Sequence, residues 1–185
     1  MILRRRSAPR PADLDNIDSL ALAAPLLETE LGLISPGTGA ICYYRNHDRA
    51  FPLVESSAHD LLTHYGANPK SAEIRHDDFG FTWLVAWRNP SLVTDLRAAS
   101  KVFADNDLGA QLLCAMTVLE SSGEAQATLV YLFKRGTVYP FAPRARQIRD
   151  NRLELAIKDV IEGRVPVESD QARWFPVWGA PGMRY

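Results

Sequence analysis

Few residues in this sequence are of the types that do chemistry, and their spacing narrows what chemistry is open to them. The four histidines, His47, His59, His64 and His76, form no HExxH pair. His59 and His64 stand five apart on an expected helix, too far round to share a face. Cys42 and Cys114 lie in apolar surroundings without CxxC spacing, so neither belongs to a metal-ligand pair. Two reduced, buried thiols are the plain reading, with a single disulfide or a redox pair as the alternative. Ser56 and Ser57 have no GxSxG around them and suit a helix start. Gly37-Thr38-Gly39 has neither the P-loop nor the GxGxxG spacing, and reads as a loop. Asp77 and Asp78 are adjacent, and neighbours on a strand point to opposite faces, which is poor geometry for an acid/base pair. No catalytic residue, no metal and no cofactor is expected.

Binding chemistry is better represented. Lys134-Arg135-Gly136 follows an apolar run and precedes Thr137-Val138-Tyr139-Pro140-Phe141. Two cations and a glycine where a strand emerges can hold an anion or a partner's carboxylate. The alternative is a solvated strand end whose charges discourage edge pairing. Trp174, Phe175 and Trp178 in the tail bury up to ~150–250 Å² each when packed. They either fold back onto the domain or are presented to a partner as anchors. Lys134, Arg135, Tyr139, Trp174 and Trp178 therefore form the candidate partner-binding set. Arg4, Arg5, Arg6 and Arg10 give the first ten residues a charge of +4 with no acid. At ~1 kcal/mol per basic residue near an anionic membrane, they supply about 4 kcal/mol, a roughly millimolar affinity. Such an arm assists membrane contact without anchoring the chain.

The elements that must position these residues are legible in the pattern. Residues 1–12 have two prolines and no apolar period, and read as a disordered basic arm. Residues 13–185 read as one domain. Asp13 is placed to cap a helix carrying Leu14, Ile17, Leu20, Ala21 and Ala24, with Pro25 interrupting it before a second short helix to Leu31. Strands are expected over Ala40–Arg45, weakly over Glu73–Asp77, and strongly over Phe79–Trp87. In the last, Phe79, Phe81, Trp83, Val85 and Trp87 share one face and Gly80, Thr82, Leu84 and Ala86 the other. Helices are expected over Pro52–Tyr65, from Asn89-Pro90-Ser91 to Ala104, and over Arg149–Glu162 with Leu153, Ile157 and Val160 buried. Leu112–Leu119 and Ala125–Lys134 are apolar runs joined by Ser121-Ser122-Gly123-Glu124, which reads as a hairpin at the centre of a sheet. Val138–Phe141 adds a short extended piece. The tail, residues 164–185, has no period and is expected to pack on the domain. Hairpin neighbours outnumber βαβ units, so the fold class is α+β, an antiparallel sheet with helices packed on it.

Composition bounds the function. The chain has 185 residues, long enough for a core without disulfides or metal. Outside the arm, 17 basic and 22 acidic residues leave a net −5. A mildly acidic body argues against a nucleic-acid-binding face. No apolar run approaches a membrane span. Met1-Ile2-Leu3 is followed at once by arginines, which speaks against a secretory signal.

Several motifs carry a resemblance. Gly80-Phe81-Thr82-Trp83-Leu84-Val85, Gln111-Leu112-Leu113-Cys114, the stretch from Val130 to Pro143, Arg149-Asp150-Asn151, and Arg173-Trp174-Phe175-Pro176-Val177-Trp178-Gly179 together resemble the PspA-associated protein B (PspAB) family. The resemblance runs from about Pro11 to Gly182. It implies a cytoplasmic accessory protein of the phage-shock envelope-stress system. The implied partner is a PspA-type coiled-coil protein, and a membrane protease of the HtpX type is associated with the same system. It brings no catalytic residue. The expectation is thus a non-catalytic adaptor, cytoplasmic or peripheral at the inner membrane face. A secretion-chaperone-like fold of the YbjN type, often a homodimer, is the nearer alternative. A small-anion-binding protein or enzyme using Lys134 and Arg135 is the more distant one. A pocket with convergent polar groups would favour the last; a flat or apolar surface favours the adaptor.

Overall fold

A computed structural model describes residues 11–63, 71–123, 125–145 and 147–184. Residues 1–10 of the basic arm, with Arg4, Arg5, Arg6 and Arg10, lie outside the described residues, as does the expected end of the Pro52–Tyr65 helix at His64 and Tyr65. The elements run α1 (Ser19–Leu31), β1 (Gly39–Tyr43), α2 (Phe51–Thr63), β2 (Ala72–His76), β3 (Thr82–Ala86), α3 (Leu92–Asp105), β4 (Leu112–Glu120), β5 (Gln126–Leu132), β6 (Thr137–Phe141), β7 (Pro143–Ala145), β8 (Ile148–Arg149) and α4 (Asn151–Ile161). Short 3-10 turns cover Gly109–Gln111 and Gln171–Arg173. The fold is α+β. Its main sheet has the order β2-β3-β1-β4-β5-β6 with every neighbour antiparallel. β7 and β8 form a separate small pair.

The two sheet faces are covered differently. One packs on the helices, through Ile41, Leu84, Ala86, Ala115, Leu129 and Tyr131 against Leu20, Leu27, Ala58, Leu96, Phe103 and Ile157. The other carries Ala40, Cys42, Trp83, Val85, Cys114, Met116, Val130, Tyr139 and Phe141, and its cover is the tail, through Trp174 and Ala180. Alternation along each strand dictates this division. A strand such as β1, buried at all five positions, needs cover on both sides.

Two expectations at the N-terminus require correction. The first helix begins at Ser19, after Asp18, not at Asp13. The Asp13 N–H donates to the Phe133 carbonyl and its own carbonyl accepts from the Tyr131 hydroxyl, so this segment is held to the end of β5 instead. Pro25 does not divide the helix; it lies inside α1. Pro25 and Ala21 are both on the exposed side, so the carbonyl that loses its helical partner faces solvent, and the buried stripe Leu20, Ala23 and Leu27 continues unbroken. The third departure is at β3, which is shorter than Phe79–Trp87. Its two faces alternate as expected, but Phe79 and Phe81 precede it and are 75% and 38% exposed.

The tail is fixed at several points along its course. Residues 166–168 run parallel beside edge strand β6, the Val138 N–H donating to the Pro166 carbonyl and the Glu168 N–H to that of Val138. At the far end Gln126 Nε2 donates to the Gly182 carbonyl, and the Arg184 N–H donates to Gln126 Oε1. Arg149, at the start of α4, links helix and tail: its Nε donates to Glu154 Oε1 at 2.9 Å and its guanidinium also donates to the Trp174 carbonyl at 2.7 Å.

A candidate docking groove on the tail-covered face

The tail leaves part of its face open. A groove of about 820 Å³ lies between the β2–β3 turn, the end of β5 and the segment Arg173–Trp178. Strand register lays out its floor as a row across the sheet: Arg75, Trp83, Cys42, Cys114, Leu132 and Thr137 are successive lateral partners from β2 to β6. Of these, Trp83, Cys42, Cys114 and Leu132 line the groove. The next row, Glu73, Val85, Ala40, Met116, Val130 and Tyr139, holds residues of the tail-covered core.

One wall is shaped by Asp77. Its Oδ1 accepts from the N–H groups of Phe79 and Phe81, each at 2.9 Å, and its Oδ2 accepts from Trp83 Nε1 at 2.9 Å. A carboxylate taking two backbone N–H groups closes the turn and sets Phe79 and Phe81 at the groove's lip. Phe175, 59% exposed, stands on the tail side.

The candidate residues from the sequence divide by role. Lys134, Arg135, Tyr139 and Trp178 all line the groove. Lys134 Nζ donates to the carbonyls of Ala110 at 2.9 Å and Gly109 at 3.3 Å, and burial lowers its pKa. Arg135 is ion-paired with Glu168, which is 1% exposed and also accepts from Thr137 Oγ1 and the Asp170 N–H. Arg135 thus completes a buried acid's coordination as well as edging the groove. Tyr139 is buried, its hydroxyl donating to the Phe175 carbonyl at 2.9 Å and its ring stacked on Trp174 at 6.3 Å between centroids. Burial pushes its phenol well above the ordinary value. Trp174 is a packing residue beneath the tail: it is 5% exposed and its Nε1 donates to the Glu168 carbonyl. Trp178 meets Phe141 edge-on at 4.9 Å.

Sequence reasoning missed Cys42, Asp77, Phe79, Phe81, Cys114 and Arg173 as groove residues. The available signal was an acidic turn followed by alternating aromatics, but it reads equally well as a core strand. Among the described residues no three His, Cys, Asp or Glu side chains converge as a metal site. No helix among them is long and apolar enough to cross a membrane. The lining is mainly apolar, with Lys134, Arg135, Arg173 and Asp77 as its charged residues; Arg135 is ion-paired with Glu168 and Arg173 with Asp170. Such an arrangement can bury an apolar surface carrying an acidic flank.

Comparison with known proteins gives one match. The family model described as PspA associated protein B covers residues 1–182. No curated protein and no solved structure matches.

Proposed function

The chain belongs to the PspA associated protein B family, and from that membership we propose that it is a non-catalytic accessory protein that docks a PspA-type partner in the groove. The occupant would be the apolar face of a helix, bordered by acidic residues. The observation that carries this reading is the groove's lip, where Phe79 and Phe175 stand 75% and 59% exposed beside an apolar floor. Large exposed aromatics around a concavity are where a partner's side chains gain most from losing water. Lys134, Arg135 and Arg173 would favour acidic flanks over basic ones and speed the encounter. The same reading puts the protein in the cytoplasm, in the envelope-stress response that the family resemblance implies.

The test uses the full chain and purified PspA-type protein from the same organism. Phe79→Asp and Phe175→Asp should each weaken binding by about 30-fold, the equivalent of a ~2 kcal/mol hot spot. Both side chains are exposed, so melting should change little. Unchanged affinity in both variants overturns the groove as the docking site. Crosslinked capture on native membranes, before and after stress, reads in parallel whether a PspA-type protein, an HtpX-type protease or a second copy is held. Absence of the PspA-type protein from that capture overturns the partner.

A further inference from the structure

The groove floor holds two thiols side by side. Cys42 on β1 and Cys114 on β4 are 72 positions apart in sequence and directly opposite in register. Both point to the tail-covered face, both are 4–7% exposed, and both line the groove.

The ladder is irregular at this point: the β1–β4 register shifts between Cys42 and Tyr43, and the consecutive residues Leu113 and Cys114 both line the groove. At roughly 2.3 Å per metal–sulfur bond, a linear S–M–S bridge between the paired sulfurs spans about 4.6 Å.

We propose that Cys42 and Cys114 form a two-thiolate site for a soft, thiophilic monovalent ion of the Cu(I) class. Soft sulfur ligands in an apolar setting select such an ion over Mg²⁺ or Ca²⁺, and a four-ligand zinc site is not available among the described residues. Met116, two residues from Cys114 on the same face, adds a thioether to the surroundings. Binding replaces two S–H protons with one metal cation, releasing both protons and leaving a bis-thiolate complex of net charge −1. Lys134 lines the same groove and brings a positive charge to it.

The experiment titrates the reduced full-length protein anaerobically with Cu(I) against bicinchoninate as competitor. One ion per chain should be retained, with proton release, and affinity should rise with pH. Cys42→Ala and Cys114→Ala, which fill these buried sites without adding a polar group, should each lower affinity by more than the ~10–100-fold that losing a mere supporting group costs. Failure of the wild-type chain to retain one ion overturns the site, whatever the variants do. So does undiminished binding in alanine variants that melt normally. Diamide converting the pair to a disulfide in a chain that retains no Cu(I) would make it a redox couple instead. None of these outcomes bears on docking of the PspA-type partner, which is read separately by the Phe79 and Phe175 variants.

Discussion

Glu168 is the residue on which the tail's attachment turns. Burial alone would raise its carboxyl pKa, but hydrogen bonds from Arg135, the Asp170 N–H and Thr137, with the charge of Arg135, outweigh it and hold the pKa below the ordinary value. A carboxylate depressed in the folded state stabilises the protein fully above the unfolded value, about 4.3, and loses that contribution as pH falls through the lower folded value. Melting temperature should therefore begin to fall below about pH 4–5, with Trp fluorescence reporting loss of the Tyr139–Trp174 stack. Glu168→Gln should cost roughly 1–3 kcal/mol at neutral pH, below the figure for a fully buried ion pair because Arg135 keeps part of its side chain in water. It should also flatten the acid limb; an unchanged acid limb in Glu168→Gln would assign it to other carboxylates. Arg135→Ala should mimic the loss at neutral pH, and Lys134→Ala should not. This division was invisible in Lys134-Arg135-Gly136, where two adjacent cations look equivalent. What separates them is a glutamate 33 positions away. Gly136 in the same motif is fixed by two demands: a φ of 66°, and an Asp13 carboxylate oxygen that would clash with any Cβ placed there.

At the scale of elements, local pattern was a good guide wherever one period dominated. α4 packs Ile157 and Ile161 at 0% exposure, with Leu153 and Val160 at the margin of the core. Ile157→Ala should thus cost ~2–5 kcal/mol and Leu153→Ala distinctly less, measured by denaturant unfolding. Equal costs would place the helix in a different rotation. The β4–β5 hairpin and the alternation of β3 were legible for the same reason. The β2–β3 turn was not. Phe79 and Phe81 continue the alternation of Trp83 and Val85, so periodicity extends the strand through them. Asp77 overrides it by accepting two N–H groups and closing the chain into a turn. The cysteine pair was equally hidden, because register between β1 and β4 is set by packing on both faces and leaves no local trace at either residue.

At the scale of the molecule, one layer of helices and one layer of irregular chain enclose the six-stranded sheet. The absence of period in residues 164–185 gave no hint of the tail's path, although its aromatics did suggest that it packs back. A chain ending at Gly163 should expose Tyr139, Phe141, Val130 and Met116 together. It should bind a hydrophobic dye and lose cooperative unfolding; a melting point within a few degrees of the full chain's would mean that the sheet and helices suffice. This architecture also has a consequence for synthesis. The segment that seals the second face follows every strand and α-helix described here in the order of synthesis. Until it is made the sheet can pair and the helices can dock, but Trp83, Tyr139 and Phe141 stay bare on a broad apolar plane. A nascent chain in that condition is open to capture by any general chaperone and to association with its neighbours on the same message. The interval before residues 164–184 are made should be the time of greatest aggregation risk in the protein's life, and slowing translation of that segment should lower the yield of native protein more than slowing translation of the first strands.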